Sequence, residues 1–115
     1  MRKAGKSLVT TAVLLVTLFA VSCRGVPKEI PEDMQPEEYF RNAQTEVLDW
    51  GNYKAALVYY EEFINRHPDM KGKVIEAEYE IAFIYYKQEN YYESQKRFRS
   101  ILDRYNSEES IYYPE

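Results

Sequence analysis

Hydrophobic residues from Glu37 onward recur at helical spacing and fall into four segments. The segments run from about Glu37 to Leu48, Tyr53 to Ile64, Val74 to Lys87 and Tyr91 to Tyr105. Residues that end helices or favour turns stand between them, namely Gly51-Asn52, Pro68 and Glu89-Asn90. The pattern therefore predicts an all-α fold of four helices, with a loop from Asp69 to Lys73 between the second and the third.

The second and fourth segments repeat one pattern at an offset of 38 residues. The aligned positions are Asn52 with Asn90, Tyr53 with Tyr91, Ala56 with Ser94, Tyr60 with Phe98, Phe63 with Ile101 and Ile64 with Leu102. A helix pair that recurs with a period of about 20 to 50 residues is typical of a solenoid. We therefore predict two repeats, at about residues 37–70 and 75–108.

The stretch GNYKAALVYYEEFINRHPD resembles the tetratricopeptide pattern, whose period is about 34 residues. Gly51 stands in the turn between the helices, Ala56 is small where the helices approach, and Pro68 ends the repeat. The resemblance implies tetratricopeptide helical hairpins, here a short α-solenoid of about two repeats. Since Ser94 is also small, we expect Ser94→Ala to be neutral or mildly stabilising. An αα-hairpin protein without true repeats is the alternative.

The chain begins with a cationic stretch and an uncharged apolar run from Leu8 to Val21. A run of about 14 residues is short for a membrane-spanning helix, which needs roughly 20, and is typical of an export signal. The only cysteine, Cys23, follows directly after Ser22. This arrangement resembles the lipobox of bacterial lipoproteins, although Ala20 stands where leucine is usual. The resemblance implies a lipoprotein signal peptide at 1–22 and lipidation of Cys23 with diacylglycerol and an acyl chain such as palmitate. An ordinary membrane anchor or a conventional signal peptide is the alternative.

Removal of the signal peptide changes the charge of the chain. It takes away Arg2, Lys3 and Lys6, so the formal net charge falls from −4 to −7. An acidic chain without a basic cluster is poorly suited to nucleic acid or to electrostatic adhesion to anionic lipid. The next stretch, 23–36, is rich in proline and lacks a helical pattern, which predicts an extended tether. Residues 37–115 then form the repeat domain.

Residues that would support catalysis are scarce. The only histidine, His67, precedes Pro68, and no serine or cysteine has the context of an activated nucleophile. Glu61-Glu62 and Glu76-x-Glu78-x-Glu80 place neighbouring carboxylates on different helix faces, so we interpret them as solvated charges. One cysteine allows neither a disulfide nor a cysteine-based zinc site. We therefore expect no enzymatic activity, no catalytic residue, no metal and no cofactor.

Tyrosine is abundant, at 12 of 115 residues. We assign Tyr53, Tyr60, Tyr85 and Tyr91 to helix–helix contacts, where tyrosine buries a large area. A second set of residues lines the other face of each repeat's first helix, which is the concave face of a tetratricopeptide fold. This set comprises Arg41, Thr45 and Leu48 in the first repeat and Tyr79, Phe83 and Tyr86 in the second. It predicts a groove that binds an extended peptide by aromatic contact and by a charge contact to a terminal carboxylate. Packing of this stripe against further repeats or another subunit is the alternative.

The lipobox, the tether, EEYFRNAQTEVLDWGNYKAALVYYEEFINRHPD and AEYEIAFIYYKQENYYESQKRFRSIL together resemble the N-terminal part of the BamD/YfiO family. These are tetratricopeptide lipoproteins of the outer-membrane β-barrel assembly machinery. The resemblance implies a lipid-anchored, non-enzymatic scaffold on the periplasmic side of the outer membrane. It implies as partners the other subunits of that machinery and unfolded outer-membrane protein segments. The alternative is a tetratricopeptide lipoprotein that organises cell-wall, division or secretion complexes.

The chain departs from that family in length, because the family usually has about five repeats and its C-terminal repeats dock on the barrel-forming partner. Here two repeats precede a short stretch from Ser110 to Glu115. No polar capping helix follows the last repeat, so we expect another chain to complete its surface. The predicted partner surface comprises Phe98, Leu102, Tyr105, Ile111, Tyr112 and Tyr113.

Overall fold

The computed structural model describes residues 25–107, apart from the side chain of Tyr105. This part of the chain contains four helices and no strand: α1 (Pro36–Trp50), α2 (Tyr53–Arg66), α3 (Lys71–Lys87) and α4 (Tyr91–Ser107). Helix α1 packs on α2, α3 packs on α4, and α2 also packs on α3. The predicted all-α fold of tetratricopeptide-like helical hairpins is confirmed. Within residues 25–107, no helix combines the length and hydropathy needed to cross a bilayer.

The turns inside the two hairpins share an unusual backbone conformation. Gly51 has φ 59° and Glu89, at the same position of the 38-residue offset, has φ 62°. Glycine adopts this left-handed conformation at little cost, whereas other residues pay roughly 1–2 kcal/mol. The second turn therefore keeps the geometry of the first with a less suitable residue.

The residue after each turn caps the following helix in the same way. The Oδ1 atom of Asn52 accepts a hydrogen bond from the Ala55 backbone N–H at 3.3 Å. The Oδ1 atom of Asn90 accepts one from the Glu93 backbone N–H, also at 3.3 Å. Side-chain caps of this kind satisfy N–H groups that a helix leaves without a partner. The internal repeat seen in the sequence thus extends to the hydrogen bonds of its turns.

Two helix starts differ from the sequence prediction. Helix α3 begins at Lys71, so most of the predicted loop from Asp69 to Lys73 is helical. Only residues 67–70, with Pro68 and Asp69 at the centre, connect α2 to α3, and Gly72 lies in the exposed first turn of α3. Helix α1 begins at Pro36, which was assigned to the tether, because proline suits the first helical position.

The hydrophobic core lies between α1, α2 and α3. It consists of Tyr39, Phe40, Ala43, Ala56, Tyr60, Phe63, Ala77, Ile81 and Ile84. Phe63 is at its centre in the first hairpin, where its ring meets Tyr39 and Phe40 edge-on and stacks on His67 at 5.3 Å. His67, the first residue of the loop after α2, therefore closes this end of the core. Tyr60 is buried as predicted, and Tyr53 and Tyr85 pack against this core while partly exposed.

The small residues at the matched positions Ala56 and Ser94 are both buried, with exposed fractions of 0% and 3%. Their surroundings differ, because the Ser94 Oγ donates a hydrogen bond to the Ala82 carbonyl oxygen at 2.8 Å. This bond ties α4 to α3 inside the second hairpin. The serine is therefore more than a small substitute for alanine, and the sequence interpretation missed its hydroxyl.

We expect Ser94→Ala to destabilise the protein by about 0.5–1.5 kcal/mol, the usual net contribution of an intramolecular hydrogen bond. This replaces the neutral or stabilising effect expected from the sequence. Urea unfolding of the full chain in detergent, followed by helical circular dichroism, measures the change. Ser100→Ala on the exposed face of α4 is the control, and equal midpoints for the two variants would contradict the prediction.

The residues before α1 form a strap, which we define as residues 25–35. The strap has no helix, as expected, but it packs on the domain instead of projecting from it. Its Ile30 and Met34 side chains lie against the core. Arg66 holds it by donating to the backbone oxygens of Ile30 at 3.0 Å and Pro31 at 2.8 Å. The described part of the predicted tether is therefore docked on the helices.

Candidate peptide-binding surface

Three aromatic side chains form a ladder along the outer face of α3. Tyr79, Phe83 and Tyr86 are 50%, 38% and 51% exposed. The Tyr79 and Phe83 rings are nearly parallel, with centroids 6.5 Å apart and an interplanar angle of 5°. The Phe83 and Tyr86 rings follow at 6.0 Å and 19°. These three residues, which we call the aromatic ladder, share the face that the sequence predicted for them.

Helix α4 supports the aromatic ladder at both ends. The Phe98 ring meets Tyr79 edge-on at 5.4 Å, and the Tyr91 ring meets Tyr86 edge-on at 5.6 Å. Edge-to-face contacts at such distances contribute beyond simple area burial. Tyr91 thus makes a helix–helix contact, as predicted, but its side chain is 57% exposed. Tyr91 lies directly after the turn that joins α3 to α4.

A cation lies beside the aromatic ladder, but it is not the predicted one. The Lys87 Nζ sits 5.1 Å from the centre of the Phe83 ring, a cation–π contact from the next turn of the same helix. Arg41 instead pairs with Glu38 in α1 at 3.4 Å and is largely exposed. No hydrogen bond or ring contact joins Arg41 or Thr45 to the aromatic ladder within the described residues. The structure thus gathers only the second-repeat half of the predicted groove, and the i, i+4 spacing of Phe83 and Lys87 was the missed signal.

The aromatic ladder offers flat, solvent-facing rings and one ammonium group. Such a surface can stack against an aromatic or extended peptide and pair with a carboxylate. Leu48, which the sequence placed on the first-repeat side of the groove, is 80% exposed. Residues 25–107 contain no group of three or more His, Cys, Asp or Glu side chains placed to hold a metal ion.

The acidic residues of α3 do not behave as independent solvated charges. Glu78 forms a salt bridge with Arg104 that links α3 to α4. Glu76 and Glu80 are one turn apart and lie on the same side, so the earlier interpretation that these carboxylates point apart holds only for neighbouring positions. Burial, and then the charge of Glu76, raise the pKa of Glu80. Burial followed by the charges of Glu80 and Glu76 also raises the pKa of Tyr60.

We expect Glu80→Gln to stabilise the protein at pH 7. The raised pKa means that the folded state binds the Glu80 proton more tightly than the unfolded chain, so stability falls as pH rises through the interval between the two pKa values. The advantage of glutamine should therefore shrink as the pH is lowered towards about 3, below the ordinary glutamate pKa of about 4.3, where the carboxyl group is largely neutral in both states. The urea concentration at the midpoint of unfolding, measured for the full-length parent and variant across this pH range, gives the stability difference. Glu61→Gln, exposed on α2, is the control; a difference between parent and Glu80→Gln that stays constant with pH would contradict the prediction.

The predicted partner surface on α4 is described only in part. Leu102 is 58% exposed, whereas its repeat equivalent Ile64 is partly buried against the core. Phe98 is partly buried by its contact with Tyr79. The side chain of Tyr105 and residues Ile111, Tyr112 and Tyr113 lie outside the described residues, as does the predicted lipidation site Cys23. Completion of this surface by another chain stays a prediction.

Comparisons with known proteins give one informative similarity. No protein-family model matches the chain, and no solved structure matches it. A protein of Treponema pallidum (strain Nichols), described as an uncharacterized protein, is 34% identical over 103 residues. The match takes in 88% of this chain and 41% of the relative, so the chain spans about two fifths of that protein's length.

Proposed function

We propose that this protein is a lipid-anchored, non-enzymatic scaffold of the outer-membrane β-barrel assembly machinery that binds partner or substrate polypeptides. In this proposal Cys23 carries the lipid, and the domain sits on the periplasmic side of the outer membrane. The observation that carries the binding role is the aromatic ladder on α3. Three neighbouring, partly exposed rings with Lys87 beside them suit a peptide that ends in an aromatic residue and a carboxylate.

The assignment to β-barrel assembly comes from the resemblance to the BamD/YfiO family, in which N-terminal repeats receive unfolded outer-membrane proteins. The tetratricopeptide-like helical hairpins of this chain are consistent with that resemblance. Affinity isolation with the tagged, lipidated protein tests the assignment. Recovery of a barrel-forming assembly protein supports it, whereas recovery of wall-synthesis, division or pilus components supports the alternative scaffold role.

The peptide-binding role has a separate test with the full chain in detergent. The probe is a synthetic peptide that ends in phenylalanine with a free carboxylate. We expect Phe83→Ser to weaken binding by about ten-fold or more, as truncation of a central aromatic contact commonly does. Leu102→Ser, which replaces an exposed hydrophobic side chain on the neighbouring helix α4, is the control.

The carboxylate contact is tested by amidating the same peptide. Amidation should weaken binding to the parent protein but change little in Lys87→Gln, because that variant has already lost the cation. Equal binding of the peptide to the parent and to Phe83→Ser would contradict the role of the aromatic ladder. An equal effect of amidation on the parent and Lys87→Gln would contradict the role of Lys87.

A further inference from the structure

The exposed hydrophobic side chains of the domain are concentrated at one end. Nine large hydrophobic residues are exposed within the described part of the chain: Val26, Leu48, Trp50, Tyr79, Phe83, Tyr86, Tyr91, Tyr92 and Leu102. Two lie in the last turn of α1, one in the last turn of α3 and two in the first turn of α4. Successive helices in contact run antiparallel, so the 51–52 and 88–90 turns lie at the same end of the domain.

We call this end the turn edge and define it as residues 48–54 and 86–93 together with Val26. Its most exposed members are Leu48 at 80%, Tyr92 at 79% and Trp50 at 54%. At the opposite end, the described residues around the α2–α3 turn, 66–71, include no exposed large hydrophobic side chain, and Leu102 is the exposed one on α4 nearest that end. This asymmetry is not needed for folding, since the core lies between the helices and not at their ends.

The strap brings the N-terminal segment to the same end. The Asn52 Nδ2 donates a hydrogen bond to the Gly25 carbonyl oxygen at 3.2 Å, which holds residue 25 at the first turn. Cys23 precedes Gly25 by two residues, and two residues of chain reach about 7 Å at most. A lipid on Cys23 would therefore emerge beside the turn edge and not at the other end of the helices.

We propose that the turn edge rests on the lipid bilayer, with Trp50 and Tyr92 in the headgroup region. Tryptophan and tyrosine favour this region because their rings are apolar while their N–H and O–H groups remain hydrated. Charges on the edge are nearly balanced, with Asp49, Glu89 and Glu93 against Lys54 and Lys87. The contact should therefore depend little on anionic lipid or on salt. The inference rests on the proposed lipidation of Cys23 and adds an orientation to it.

The orientation has a direct probe, because Trp50 is the only tryptophan of the chain. The processed, lipidated protein is placed in phosphatidylcholine vesicles, with and without phospholipid brominated near the carboxyl end of its acyl chains. Bromine quenches tryptophan that lies at the same depth. We expect brominated lipid to quench Trp50 strongly, to a similar degree at low and high salt and with or without added phosphatidylglycerol.

Two matched variants move the probe along the domain. Trp50→Phe combined with Tyr92→Trp places it at the second turn, where we expect quenching. Trp50→Phe combined with Asp69→Trp places it at the exposed turn of the opposite end, where we expect none. Equal quenching in the two variants, or no quenching of Trp50, would overturn the proposed orientation.

Mass spectrometry of the same preparation separates this inference from the lipidation on which it rests. If acyl groups are present and Trp50 is not quenched, lipidation stands and the orientation is wrong. If acyl groups are absent, the lipoprotein assignment fails and the orientation fails with it. If Trp50 is unquenched but becomes shielded from acrylamide when a protein partner is added, the turn edge is a protein-binding surface and the bilayer proposal is overturned.

Discussion

Phe63→Ala is expected to lower the free energy of unfolding by about 3–5 kcal/mol, the usual effect of deleting a buried aromatic side chain. Phe63 is fully buried, and its ring contacts three others, those of Tyr39, Phe40 and His67. Two of these rings belong to α1, so the substitution opens a cavity at the interface that holds the first hairpin together. Since native domains are stable by only about 5–15 kcal/mol, a large part of the variant should be unfolded at moderate temperature.

Thermal unfolding of the full chain in detergent, followed by helical circular dichroism, measures this loss. Tyr92→Ala is the matched control, because it also removes an aromatic ring but from a side chain that is 79% exposed. Substitutions at such positions usually change stability by no more than about 0.5 kcal/mol. Similar melting temperatures for Phe63→Ala and Tyr92→Ala would mean that this aromatic cluster does not hold α1 on α2.

The helices were predicted well from the sequence because the residue pattern that specifies them is local and recurs in both repeats. Apolar spacing fixed the four segments, and the 38-residue offset aligned Asn52 with Asn90, whose side chains cap their helices alike. The same offset pairs Gly51 with Glu89, and both adopt the left-handed conformation. A glutamate gives no such signal by itself. Only its alignment with a glycine would have revealed it.

The errors concern features that depend on distant partners. Arg66 holds the strap by donating hydrogen bonds to backbone oxygens about 35 positions earlier. Every residue has a backbone oxygen, so the residue types do not reveal which oxygens act as acceptors. Ser94 was recognised as small, but the use of its hydroxyl depends on the Ala82 carbonyl being within reach. Tyr91 matches Tyr53 in the repeat and makes the predicted helix–helix contact, with Tyr86, but periodicity does not show that its side chain is 57% exposed.

The part of the candidate surface that lies on α3 was predicted correctly, but the way in which residues of different helices come together was not. Tyr79, Phe83 and Tyr86 share a face because their spacing within α3 dictates it. Whether Arg41 and Thr45 lie beside these rings depends on how the two repeats pack, and the spacing of residues along the chain does not specify that packing. The contact of Phe83 with Lys87 could have been predicted from the sequence, because side chains four residues apart on a helix are neighbours.

Cys23→Ala is expected to abolish incorporation of fatty acid into the protein and to leave an unprocessed precursor. Cys23 is the only thiol of the chain, so no other residue can take the diacylglyceryl group through a thioether. One acyl chain alone binds membranes marginally, whereas several buried chains at about 0.8 kcal/mol per CH₂ give a stable anchor. Loss of the cysteine therefore removes the whole anchor at once. Metabolic labelling with radioactive palmitate measures the incorporation directly.

Ser22→Ala is the control for the adjacent position, because alanine keeps a small residue before the cysteine and should permit normal labelling. Ala20→Leu restores the residue usual at that place in the lipobox and should speed processing of the precursor. If Cys23→Ala incorporates palmitate as the parent does, the chain is not a lipoprotein of this kind. If Ser22→Ala loses the label as completely as Cys23→Ala does, the loss reflects failed export and not the missing thiol. The expected pattern, in which only the cysteine variant is unlabelled, would tie the membrane anchor to the one sulfur atom of Cys23.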